Sequence, residues 1–210
     1  TFLGRKNTEK DKAGVLWFNT DSYVIRNIKF TGTDGIDGST AICVNENTKE
    51  VTFENCWFRG NSTTKTGASI AVWCGAVLNI KDCSFSDNYG YGSAIVLTDY
   101  AKNSVLNITD SEIKSNIGNA ILTQGKSIAD VNATRVVFKD NRSVTDDAGS
   151  AVYVQGEVTY NFTDCQFVGN TCDLGTNLGL GGIVAVDTDH ATLCFDGCLF
   201  DGNDCYRDMD

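Results

Sequence analysis

Residues Leu78-Asn79-Ile80-Lys81-Asp82-Cys83-Ser84-Phe85-Ser86-Asp87-Asn88, followed by Gly92-Ser93-Ala94-Ile95-Val96-Leu97, decide how this chain folds. Leu78 and Ile80 share one parity, and Cys83 and Phe85 share the other. Strand side chains alternate faces with period 2, so a corner at Lys81-Asp82 turns all four inward. Ala94-Ile95-Val96-Leu97 supplies a third short strand. No helical period runs over a useful length, which excludes helical repeats and leucine-rich arches. Three short strands, separated by Gly, Asn, Asp and Ser turns, describe one coil of a parallel β-helix.

The unit recurs at a period of about 28 residues, the mark of a solenoid. Phe30, Phe58, Phe85, Ile113, Phe138, Phe167 and Phe200 head successive copies, and Phe2 falls in the same register. Three residues after the head stands Asn61, Asn88, Asn116, Asn141, Asn170 or Asn203. A small-plus-aliphatic element follows, as in Gly67-Ala68-Ser69-Ile70, Gly118-Asn119-Ala120-Ile121 and Gly149-Ser150-Ala151-Val152. The expected fold is all-β, a solenoid of about seven coils in one domain over residues 1–210. The Asn column reads as structural, because stacked amides can bond adjacent coils and tolerate awkward backbone angles.

The pairing of Phe-x-x-Asn with Gly-x-Ala-Ile is cleanest in Phe85-Ser86-Asp87-Asn88 with Gly92-Ser93-Ala94-Ile95. It returns in Phe167-Val168-Gly169-Asn170 with Gly181-Gly182-Ile183-Val184. Over nearly the whole chain this resembles the repeats of the polymorphic outer membrane protein group. The resemblance implies a right-handed parallel β-helix of the pectin-lyase-like superfamily in an extracellular setting. The high cysteine content departs from that group, and no outer-membrane barrel accompanies the repeat.

Bulk composition narrows the partners. There is no proline in 210 residues, as suits a chain with ladder pairing on almost every strand, since proline cannot donate to a ladder. A net charge of -10 disfavours nucleic acid and anionic membrane surfaces. No apolar run reaches the roughly 18 residues a membrane helix needs, so no membrane insertion is expected. No metal or other cofactor is expected, because no Cys-x-x-Cys pair occurs and the one histidine has no cysteine or histidine beside it.

Nine cysteines are many for a reducing compartment. Cys56, Cys83, Cys165 and Cys198 each lie two residues before a repeat head, which makes Cys56–Cys83 and Cys165–Cys198 disulfide candidates on adjacent coils. Buried thiols acting as small hydrophobes are the competing reading. Cys172 and Cys205, two residues after the column Asn, are the stronger pair because they fall in adjustable turns. Cys43 and Cys74 are not at equivalent positions, and Cys194 is expected to face outward as a thiol available for an intermolecular bond.

Five Asn-x-Ser/Thr sequons occur, at Asn61, Asn107, Asn132, Asn141 and Asn161. Asn107, Asn132 and Asn161 are flanked by inward residues and should form an outward glycan stripe in a eukaryotic secretory product. Asn61 and Asn141 coincide with the Asn column, where a buried ladder would deny them sugar. Trp57 takes an outward position between Cys56 and Phe58 and is a candidate glycan or protein contact, whereas Trp17 and Trp73 are expected in the core.

No catalytic residue is assigned. Asp187-Thr188-Asp189-His190 is the nearest approach to an acid–base constellation and reads as a solvated loop; Asp34/Asp37, Asp146/Asp147 and Asp201/Asp204 read as turn acids. The expected function is therefore a non-enzymatic, extracellular structural or adhesive β-helix, with cell-surface glycans or proteins as partners. A polysaccharide-active enzyme and a glycan-binding module are the alternatives. Because Phe2 and Phe200 both fall mid-coil, the reading expects a segment of a longer β-helix or head-to-tail self-association into a filament.

Overall fold

The computed structural model describes residues 2–3, 14–35, 40–143, 149–173 and 182–206, and every element in them is a short β-strand. Among the described residues no helix is long and apolar enough to cross a membrane.

Three parallel sheets run along the solenoid. The phenylalanine sheet has eight strands, from Phe2–Leu3 and Lys29–Thr31 through Ser84–Ser86 to Leu199–Asp201. The aliphatic sheet has seven, from Gly14–Phe18 through Ile95–Leu97 to Gly182–Val186. The long-strand sheet also has seven, from Asp21–Arg26 through Lys102–Thr109 to Ala191–Asp196. Each coil visits the aliphatic, long-strand and phenylalanine sheets in turn, and then a small fourth face, as at Ser62–Thr66 and Tyr89–Tyr91. Register is strict between coils: Phe58 pairs Phe85, Phe85 pairs Ile113, and Phe138 pairs Phe167.

Two backbone columns make the corners. After the long strand, Asn27, Asn55, Asp82, Asp110, Arg135 and Asp164 all hold φ between 51° and 59°, with Gly197 at 63°. After the phenylalanine strand, Gly32, Gly60, Asp87, Ser115, Asp140, Gly169 and Gly202 do the same, between 52° and 70°. This left-handed region suits Gly, Asn and Asp best, which explains the composition of the turns. Because each corner flips the parity of the pleat, Leu78, Ile80, Cys83 and Phe85 are all buried.

The interior is a set of stacks. Phe30, Phe58 and Phe85 lie ring on ring, with centroids 4.9 and 4.6 Å apart. Ile113 interrupts the column, and Phe138, Phe167 and Phe200 resume it at 4.8 and 4.5 Å. Beside the rings runs the asparagine ladder. The Oδ1 of Asn88 accepts both the backbone N–H and the Nδ2 of Asn61, at 3.0 and 3.1 Å. Asn88 Nδ2 in turn donates to the Phe58 carbonyl at 3.1 Å. Asn116, Asn141, Asn170 and Asn203 repeat the pattern, so a buried amide is satisfied at every coil.

Candidate functional site

Asn107, Asn132 and Asn161 are register partners on the long-strand sheet and face outward, half-buried. They are not free amides. Asn107 Nδ2 donates to Asn79 Oδ1 at 2.8 Å, Asn132 to Asn107 at 3.0 Å, and Asn161 to Asn132 at 3.0 Å. A second ladder, external and anchored on Glu50 through Asn79 (2.7 Å), thus occupies the expected glycan stripe. Asn61 and Asn141 are fully buried in the internal ladder, where the folded coil leaves no room for a sugar.

Trp57 is half-buried, with the Lys29 ammonium 5.3 Å from its ring centroid, so one face of the indole is engaged by a cation. The expectation for the other two tryptophans is corrected. Trp17 is 44% exposed. Trp73 is half-buried and packs on the outer side of the aliphatic sheet, near Tyr100. Both take the parity that points away from the core: Trp17 pairs Cys43, which pairs the outward Ala71.

That outer side is itself apolar. Ala71, Val96, Leu122, Tyr153 and Ala185 form a buried cluster outside the β-helix core. The signal was present in the runs Ile95-Val96-Leu97 and Ile121-Leu122, which lack alternation and so mark a strand covered on both faces. At its edge the Tyr153 hydroxyl donates to Asp187 Oδ2 at 2.9 Å, and Gln155 Nε2 reaches both, at 3.1 and 3.0 Å.

No two of the nine cysteines are bridged in this structure. In the corner column each thiol donates to main-chain carbonyls: Cys83 to Lys81 at 3.1 Å and Phe53 at 3.5 Å, and Cys165 to Ala133 at 3.3 Å and Thr163 at 3.4 Å. Cys56 and Cys198 do likewise. Cys172 and Cys205 are register partners on the fourth face, and Cys194 is exposed beside Asn161. Cys43 pairs Ala71, three residues before Cys74 on the adjacent coil, so the two cysteines are not register partners; Cys74 donates to the Asn45 carbonyl at 3.1 Å.

A broad depression lined by two carboxylates and the histidine was not legible in the sequence. It lies where the aliphatic sheet turns into the long-strand sheet and has a volume of about 400 Å³. Asp130, Glu157, His190 and Asn103 line it, from four coils. A smaller extension of about 240 Å³ adds Lys102 and Lys126. Asp130 pairs Thr159 while Ile128 pairs Glu157, so the two carboxylates are diagonal neighbours on adjacent parallel strands. His190 lies 3.4 Å from Asp189, and both are well exposed. On the opposite side, Tyr89, Tyr91 and Ile117 form an exposed apolar shelf over stacked Gly90 and Gly118. A Cβ on Gly118 would meet the Gly90 carbonyl oxygen at 2.0 Å, so glycine is required there. Among the described residues no group of three or more His, Cys, Asp or Glu is placed to hold a metal. Asp37, Asp146 and Asp147 lie outside the described residues.

Coils stacked in register, left-handed corners and an internal asparagine ladder are the features of one architecture. Residues 13–204 match the family described as the right handed beta helix region. The chain belongs to the right-handed β-helix family. No curated protein and no solved structure gives a significant match. In this β-helix, then, the groove at Asp130 and Glu157, the exposed aromatics and the outer asparagine ladder are the features open to a partner.

Proposed function

We propose that this β-helix is a non-enzymatic structural or adhesive element of an extracellular surface. The observation that carries the reading is the way polar side chains are spent on neighbouring coils. Two asparagine ladders run along the solenoid, and Arg59–Asp87, Arg135–Asp110 and Lys49–Asp21 tie adjacent coils at 2.9, 2.6 and 3.2 Å. Such coil-to-coil bonding makes a stiff rod. Resemblance of the Phe-x-x-Asn and Gly-x-Ala-Ile motifs to the polymorphic outer membrane protein repeats supports a cell-surface setting. Phe195 and Phe200 are 41% and 50% exposed among the described residues, an apolar patch that supports self-association. Light scattering across a wide concentration range tests the assembly. Concentration-dependent elongated species are expected, and an invariant monomer would sink it.

A second reading is favoured by the groove. Asp130 and Glu157 are exposed carboxylates two residues out of register on adjacent strands, and a pair of carboxyl groups is what glycoside hydrolysis uses. Under that reading Asp130 and Glu157 serve as the acid–base pair on a polysaccharide lying across the coils. Incubation with a panel of neutral and acidic polysaccharides, read by reducing ends, separates the two. No release is expected. Release that disappears in Asp130→Asn and Glu157→Gln would replace the structural reading.

A further inference from the structure

The cysteine pairs of this β-helix are of two chemical kinds. Cys56, Cys83, Cys165 and Cys198 stand in the corner column, where Ser111 occupies an equivalent place. Ser111 Oγ donates to the Thr109 carbonyl at 2.8 Å and accepts the Cys83 N–H at 3.0 Å. Cys83 Sγ likewise donates to the Lys81 carbonyl and accepts the Cys56 N–H at 3.4 Å. A hydroxyl and a thiol do the same work in these two coils, and a disulfide would remove the donor, while Ile28 and Val136 fill the same place in other coils without one. Cys172 and Cys205 are also opposite each other, but on the fourth face: they lie on Thr171–Asp173 and Asp204–Tyr206, and Cys205 is exposed.

We propose that Cys172 and Cys205 are the disulfide site of this protein, and that the buried corner pair Cys56 and Cys83 persists as thiols. Register partners on adjacent strands sit about 4.8 Å apart, inside the roughly 4.4–6.8 Å window for bridged Cα atoms. Stacked Cβ atoms must still close by somewhat under 1 Å, about the excess over the usual 3.8 Å. Asp204–Tyr206 is the edge strand of its sheet, bonded on one side only, and can make that shift. Cys56 and Cys83 sit between packed coils and cannot.

The oxidant is a small disulfide such as oxidised glutathione. The exposed Cys205 thiolate attacks it, forming a mixed disulfide and releasing one glutathione thiolate. Cys172 then attacks the Cys205 sulfur and expels the second. Two S–H bonds are lost and one S–S bond forms; two protons go to solvent and two electrons end on glutathione. Burial and the neighbouring Cys172 thiol push Cys205 up to about 12, so the exchange is slow at neutral pH. The product ties the last described coil to the one before it.

The test is native incubation of the full chain with excess oxidised glutathione, then denaturation in alkylating reagent and non-reducing peptide mapping. A peptide pair joined through Cys172 and Cys205 is expected, with Cys56 and Cys83 recovered alkylated. The oxidised protein should melt roughly 5–10 °C above the reduced one. In Cys172→Ser the bridge should be replaced by a glutathione adduct on Cys205. Recovery of both Cys172 and Cys205 alkylated or glutathionylated in the wild-type chain would overturn the proposal. So would a disulfide joining Cys56 and Cys83. The wild-type map decides even if the variant does not fold.

Discussion

Ser115 holds φ at 52° in a column otherwise filled by Gly and Asp, with its side chain in solvent. A non-glycine residue there costs on the order of 1–2 kcal/mol, partly offset in a glycine variant by the extra freedom of the unfolded chain. Ser115→Gly should therefore stabilise the fold by roughly 0.5–1 kcal/mol, read as a higher denaturant midpoint with an unchanged slope. No gain would mean that the hydroxyl has a local partner. Arg135 sits in the other corner column at φ 52° and gains a compensating contact, a two-nitrogen grip on Asp110 at 2.6 and 2.9 Å. At the opposite extreme, Gly118→Ala would drive a methyl into the Gly90 carbonyl, and a loss of more than about 3 kcal/mol is expected by thermal melt. A mild effect would show that the fourth face can open.

At the scale of the element, the internal ladder is a chain of dependent bonds. Removing the Asn116 amide takes the acceptor from two donors of Asn88 and leaves the Phe85 carbonyl without its side-chain donor. Asn116→Ala should cost roughly 2–4 kcal/mol, since buried donors are left unsatisfied. Asn116→Asp should cost at least as much: it keeps an acceptor but sets a buried carboxylate against the Phe85 carbonyl oxygen. If Asp proved the milder change, water would have to reach the ladder, contrary to its complete burial. The outer ladder bears on glycosylation in the same way. Register partners about 4.8 Å apart cannot all carry sugar, so alternate occupancy at Asn107 and Asn161 is the most that intact glycopeptide mass spectrometry should find in secreted eukaryotic material.

For the molecule as a whole, pH reads out the packing. Burial drives the Tyr160 phenol well above its ordinary range and pushes Cys165 up to about 11. Both groups are held neutral in the folded state and ionise more easily in the unfolded chain. Their contribution is complete below the unfolded values of about 8.5 for Cys and 10 for Tyr, and it is lost as pH rises through the folded ones. Denaturant titrations should show stability falling steadily above pH about 9. A flat profile to pH about 11 would imply that neither group is shielded. Acid behaves oppositely at Asp110 and Glu54, whose carboxyls Arg135 and Arg26 hold low; these pairs are solvent-exposed and salt should erase their effect.

Period and parity alone reached the coil, the inward Phe column, the buried Asn column and the corner at Lys81-Asp82, because these are set by neighbours along the chain and by a repeat that each copy restates. Sequence also placed Asn107, Asn132 and Asn161 in one outward row. Only the tertiary structure decided what those rows do. Whether an outward amide is a free acceptor or a rung depends on the exact stacking of Asn79, Asn107, Asn132 and Asn161. Trp17 and Trp73 misled because an apolar run cannot say which parity faces the core when the outer face is apolar too, as the buried Val96 and Leu122 demonstrate. The groove was invisible for a related reason. Asp130, Glu157 and His190 come from successive coils and meet only through inter-coil register at a corner whose length varies from copy to copy. Local pattern fixes the path of one coil; contacts between coils fix which of its outward side chains are covered, bonded or left to a partner.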